Sequence, residues 1–147
     1  MKNLFEEKVY VEIRERLAQL SPESNRQWGK MSPAQMLHHC QAPLNIMLEK
    51  NDYGLKPNWL AKVVFKKALY NDKPWRKNLP TAKAMKETTE RDFTTEMKQL
   101  ESLLEEVHNH RNRDEWPEHP GFGHFTKAQY GQMQYKHLDH HLRQFGL

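Results

Sequence analysis

An all-α fold, built as a four-helix bundle, is what this sequence predicts. Three observations predict it. Four segments carry apolar residues at three- and four-residue steps, two of them open with a complete capping-box pattern, and no stretch alternates long enough to argue for a strand. Helices of this kind bury one stripe each, so four of them imply a bundle. The chain has 147 residues, of which 37% are apolar and 29% charged. That suits one domain of small amphipathic helices, and a single domain over 1–147 is expected.

The first helix is expected from near Asn3, with Phe5, Val9, Ile13, Leu17 and Leu20 on one face and Ser21-Pro22 ending it. The second opens at Ser32-Pro33-Ala34-Gln35: a capping serine, proline at the first helical position and glutamine three residues after the cap. Met36, Cys40, Leu44, Met47 and Leu48 form its stripe, to about Lys50. Residues 51–87 read as a long crossover punctuated by Pro57, Pro74 and Pro80, with a short extra helix from Asn58 through Trp59 to Tyr70. Its length permits an up-down-down-up order without demanding it. The third long helix carries Phe93, Met97, Leu100, Leu104 and Val107, with Thr88 or Thr89 as its cap. The last opens at Thr126-Lys127-Ala128-Gln129, another capping box, and runs nearly to Leu147.

Charge and targeting signals bound the function. No run approaches the roughly 18 apolar residues needed to cross a bilayer, and Met1–Lys8 has acidic residues where a secretory signal is apolar. The single Cys40 excludes an internal disulfide framework. These point to a cytoplasmic protein without a membrane partner. The formal charge of +4 is unevenly spread: Lys56 to Lys86 holds nine basic residues against the single acid Asp72, a net +8. Trp59, Phe65, Tyr70 and Trp75 are interleaved with them. A solvated face ranks first for this stretch, attraction of an anionic small substrate second and nucleic acid third.

The nine histidines are sorted by helical phase. With Met36 at zero, His39 falls at about −60°, the shoulder of the second helix's apolar stripe, and His38 at about 200°, facing solvent. On the last helix, with His137 at zero, His141 lies at about 40° and Phe145 at about 80°, while His140 at about −60° and Asp139 at about 200° point away. Two histidines four apart can close on one ion, and an inward histidine from a facing helix completes a three-nitrogen site. The expected ligands are therefore His39, His137 and His141, the expected cofactor a divalent Zn, Ni or Fe ion. The bland alternative is three core-edge histidines in ordinary hydrogen bonds. Pro43 should kink the second helix and free the His39 carbonyl. Gln134 and Gln144 are expected to orient ligands or substrate. No carboxylate is an obvious general base; Glu49 is in reach only as a guess from sequence. Cys40 reads as a buried, inert thiol.

The segments Ser32-Pro33-Ala34-Gln35-Met36-Leu37-His38-His39-Cys40 and Tyr135-Lys136-His137-Leu138-Asp139-His140-His141-Leu142-Arg143-Gln144-Phe145-Gly146, with His119-Pro120-Gly121-Phe122-Gly123 between them, resemble the DinB/YfiT-like superfamily of metalloenzymes, and within it a branch of unknown function. The similarity spans nearly the whole chain. It implies an up-down-down-up bundle and a metal on one histidine of helix two and two of helix four; at the matching positions these are His39, His137 and His141. Relatives in that superfamily include thiol S-transferases, a metal-dependent maleylpyruvate isomerase and damage-inducible proteins. The implied function is a metal-dependent hydrolase or thiol S-transferase acting on a small, anionic substrate with a low-molecular-weight thiol. The alternative is a non-enzymatic metal- or nucleic-acid-binding module using residues 56–86; a homodimer fits either. His124 departs from the branch pattern and reads as solvated. The His119–Gly123 loop reads equally as a lid or as a turn into the last helix, and Trp28 as a packing anchor.

Overall fold

The computed structural model describes residues 1–81 and 83–147 and, of Ala61, the backbone only. Among the described residues it is all-helical, with five α-helices: α1 Glu7–Leu17, α2 Pro33–Met47, α3 Trp59–Tyr70, α4 Phe93–Asn109 and α5 Lys127–Gln144. A short 3₁₀ turn, Lys83–Met85, precedes α4. Among the described residues there is no strand, only an isolated bridge between His119 and Gly123. α2 packs on α4 and α5, α1 on the same two helices, and α3 on α5. Leu4, Ile13, Leu17, Met36, Leu37, Leu44, Met47, Leu100, Leu104, Phe125, Tyr130 and Leu138 are almost wholly withdrawn from solvent and form one continuous core.

The two capping boxes form as read. Ser32 accepts from the Gln35 amide while the Gln35 side chain accepts from Ser32 N–H, and Thr126 and Gln129 repeat the arrangement. Elsewhere local hydrogen bonds shift the boundaries. α1 begins at Glu7 rather than near Asn3, because Asn3 Oδ1 accepts from Phe5 N–H at 2.9 Å and Leu4 N–H donates to the Gly131 carbonyl at 3.0 Å. The first residues are thus pinned to α5 instead of coiling. Gly131 permits this, since a Cβ there would collide with Asn3 and Phe5. α2 stops at Met47, three residues early. Glu49 takes a left-handed conformation (φ 58°), and Lys50 N–H returns to the Asn45 carbonyl and Glu49 N–H to Ile46, a complete Schellman ending. α4 is capped by Asp92, whose carboxylate accepts from Thr95 N–H at 2.8 Å, and not by Thr88 or Thr89. α3 falls on the expected residues. Its C-terminal carbonyls are taken by Lys136 of α5, whose Nζ donates to Ala68 and Asn71 at 2.6 and 3.0 Å.

Candidate metal centre

His39 projects from α2, and His137 and His141 from one edge of α5. The helices' contact brings the three rings together: centroids lie 5.1 Å apart for His39 and His137, 4.7 Å for His39 and His141, and 4.7 Å for His137 and His141. One ring nitrogen from each lies within 4.8 Å of the other two. Each residue keeps only 8% of its surface exposed. The sequence singled out these three, and the fold collects them; three buried histidines that could hold a metal ion are the outcome.

The hydrogen bonds fix which nitrogens are available. His39 Nδ1 lies 3.1 Å from the Met85 carbonyl, which can only accept, so Nδ1 carries the proton and Nε2 a lone pair. His141 Nδ1 lies 3.0 Å from Gln144 Oε1, and the amide nitrogen of Gln144 donates to the Trp28 carbonyl at 2.8 Å. This order again leaves His141 Nε2 as the acceptor. His137 Nε2 stands 3.2 Å from His39 Nε2. Donors held at about 2.0–2.1 Å around a tetrahedral ion lie roughly 3.3 Å apart, so that spacing fits a shared ion. His137 Nδ1 is buried with no partner among the described residues.

Electrostatics keep the donors neutral. Burial is the first cause in all three: it lowers His39, drives His137 well below the ordinary imidazole value, and brings His141 to about 3. Mutual repulsion among the rings adds to the last two. A neutral imidazole is the form a metal requires.

The neighbours differ from the sequence reading in two places. His140, read as pointing away, is buried, 5.0 Å from the His141 ring and edge-on to Trp28 at 5.8 Å. Burial, then Arg143, brings it to about 4. The reason is the crossover, which folds back and lays Trp75 against His140 (5.6 Å) and His137 (5.8 Å). A helical wheel knows nothing of a distant loop. His38, expected to face solvent, is half-buried: its Nδ1–H donates to Glu96 at 2.9 Å, where Gln41 also donates at 2.7 Å, and its Nε2 lies 3.5 Å from Glu87. This clamp ties α2 to α4 beside the centre.

Gln144 bonds the His141 ring, whereas Gln134 spends its amide on the Pro43 carbonyl, 3.2 Å away, and so staples α5 to α2. Gly29 matters here: at φ 81° it takes a backbone conformation that L side chains rarely adopt, and a Cβ would strike the Gln144 amide. Trp28, expected as a packing anchor, is half-buried and lies outside the core cluster, with its ring on His140 and Lys77 Nζ 4.7 Å from its centre. Cys40 is 1% exposed and burial pushes its thiol far up, so it is no nucleophile. Glu49 sits in the terminal turn of α2, about ten residues and so roughly 15 Å along the helix from His39. It is not placed as a base. Asp139 is held by Arg16 (3.0 Å) and Arg143 (2.8 Å). The His119–Gly123 loop is a turn: His119 Nδ1 accepts from Gly121 and Phe122 N–H, and His119 and Gly123 exchange backbone bonds. His124 is exposed, and its carbonyl accepts from Lys66.

This all-helical chain with a buried three-histidine cluster belongs to a family defined by its sequence alone. The profile of that family, proteins of unknown function (DUF1569), matches residues 7–146, and the chain is a member. No curated protein and no solved structure matches it.

Proposed function

We propose that His39, His137 and His141 hold one divalent ion, Zn²⁺, Ni²⁺ or Fe²⁺, in a DinB/YfiT-like metalloenzyme of the hydrolase or thiol S-transferase type, a single domain over residues 1–147. The observation that carries this is the convergence of three neutral, buried imidazoles from two helices, two of them already fixed by their outer nitrogens. The pairwise packing of α1, α2, α4 and α5, with a long crossover before α4, supports the up-down-down-up bundle.

When bound there, such an ion would supply the Lewis acidity that makes a water or a small thiol nucleophilic near neutral pH. The chain does the rest. Met85 and Gln144 hold two imidazoles in the tautomer that presents Nε2 inward. Trp75 lies edge-on to His137 and Trp28 to the adjoining His140, and cover of this kind would limit water at the cluster and strengthen charge interactions inside it. Lys77, over the indole of Trp28, puts a cation at the edge where the acidic part of a substrate would enter. No carboxylate stands ready as a base: Glu87 is held by Arg91, Glu96 by His38 and Gln41, and Asp139 by arginines.

The test is elemental analysis of purified protein beside His137→Ala. The wild type should carry one ion per chain and the variant should lose it, with a rise in Tm on metal addition seen only in the wild type. Equal metal content in both removes the centre. If metal is confirmed, a screen of low-molecular-weight thiols against electrophiles separates transferase from hydrolase.

A further inference from the structure

α3 is inverted relative to an ordinary surface helix. Lys62 and Lys66, together with Leu69 and Tyr70, face the protein, while five large apolar residues of its first two turns are left exposed. Lys66 is half-buried, bonds the His124 carbonyl and lies 4.5 Å over the Phe125 ring. Leu69 and Tyr70 pack on the core. On the other side Trp59 is 75% exposed, Leu60 57%, Val63 71%, Val64 56% and Phe65 59%. With Trp59 at zero, Val63 falls at about 40°, Leu60 at about 100° and Val64 at about 140°, while Lys62 and Lys66 lie at about 300° and 340°. Lys67, at about 80°, is the one charge within the outer apolar stripe. Phe65, at about 240°, is exposed on the flank beyond this stripe, and together the five side chains present on the order of 500 Å² of apolar surface, at the upper end of what a soluble monomer leaves bare.

We infer that α3 lies flat on an anionic phospholipid surface, apolar side down. Charge selects the occupant. The helix sits in the stretch of net +8, where Lys56, Lys67, Lys73, Arg76 and Lys77 are exposed. Its single acid, Asp72, is held 3.4 Å from the N-terminal ammonium. A second copy docked by a two-fold axis sets +8 against +8, and the patch falls short of the roughly 800 Å² per partner of a stable interface. Nucleic acid is met by presented cations, but this face presents valine and leucine. An anionic bilayer satisfies both halves: aliphatic groups enter the acyl boundary, Trp59 sits at headgroup level, and the lysines extend to the phosphates. This departs from the expectation of no membrane partner, which rested on the want of a spanning segment. Indeed no helix among the described residues is long and apolar enough to cross a membrane, but a helix lying in the surface needs no such length.

The full chain is mixed with phosphatidylcholine vesicles, with and without phosphatidylglycerol, and sedimented. Binding is expected only with the anionic lipid, with a blue shift of tryptophan emission and weakening as salt is added. Val63→Asp should lower partitioning at least about tenfold, since a buried valine contributes roughly 1.5 kcal/mol. Lys67→Ala should lower it about fivefold. Both sites are exposed, so circular dichroism and Tm should match wild type. The inference is overturned by equal binding to neutral vesicles, by no binding to anionic ones, by a Val63→Asp variant that binds as well as wild type, or by a dimer in light scattering that Val63→Asp splits.

Discussion

The histidine cluster and α3 are built from helices of similar periodicity, yet they spend it in opposite directions. On α2 and α5 the apolar stripe turns inward and carries His39, His137 and His141 with it to 8% exposure. On α3 the apolar residues of the first two turns turn outward, while Lys66, Leu69 and Tyr70 make the contacts. The difference teaches that periodicity fixes the existence of a helical face but not its direction. Direction is set by what the helix packs on. α2 is contacted by α4 and α5, and little choice remains; α3 rests on one helix, α5, and on the loop before it, so much of its surface is left open.

The contrast breaks most sharply by truncation. Leu44→Ala, at a wholly buried position of α2, should cost roughly 2–5 kcal/mol through lost transfer energy and the cavity left behind. Urea denaturation measures it. A cost under about 1 kcal/mol would mean that α2 is no better packed than α3.

The loop on which α3 rests should fail with acid. His119 is brought to about 4 by burial and then by Lys66. Its Nδ1 accepts from Gly121 and Phe122 N–H, so the neutral form is the folded one, and Gly121 in turn receives Asn58 N–H at 3.4 Å. The folded pKa lies below the ordinary 6.5, so the unfolded chain takes up the proton first. Stability is therefore complete above about pH 6.5 and falls as the pH drops toward about 4. His119→Asn keeps an acceptor oxygen but does not titrate. It should remove on the order of 2–3 kcal/mol of that acid loss, read as a shallower dependence of the urea midpoint on pH. His140 and His141 give the same sign, so the comparison is between slopes, not between absolute values.

What the sequence could reveal follows the same division. The four long helices, both capping boxes and the three converging histidines were legible, because each rests on local spacing or on one helix face. The cover of the site was not. Trp75 lies between Pro74 and the basic run, outside any periodic segment, and Met85 acts through its carbonyl, which no residue identity announces. His140 was misread for the same reason: the wheel placed it off the apolar stripe, and only the returning crossover buries it. The caps that moved, Asp92 in place of Thr88 or Thr89 and the pinned Asn3, turned on which of several capable side chains lay nearest the first free amides. The family model matching residues 7–146 adds membership but no chemistry, so the reaction is argued from geometry.

Gln144 sharpens the inner half of the comparison. Its carbonyl oxygen faces His141 Nδ1 while its amide is spent on Trp28. Gln144→Ala should weaken metal affinity about 10- to 100-fold without abolishing the site, since the imidazoles themselves remain. Competition with a chelator reads the change. Unchanged affinity would show that helix packing alone aims His141.

The smallest expected effect bears on the outer half. Val64 is 56% exposed on α3. Val64→Ser should change the urea midpoint by an amount equivalent to less than about 0.5 kcal/mol, as for other surface positions away from caps and cores. The result has force because the same valine, if covered, would behave as Leu44 does on a smaller scale. A loss above about 1 kcal/mol would mean that the face is buried in solution against something the free chain supplies itself, and α3 would then be an ordinary core helix seen in an open arrangement. A negligible change, with vesicle binding lost in Val63→Asp, leaves the outward stripe as a surface that serves association and not folding.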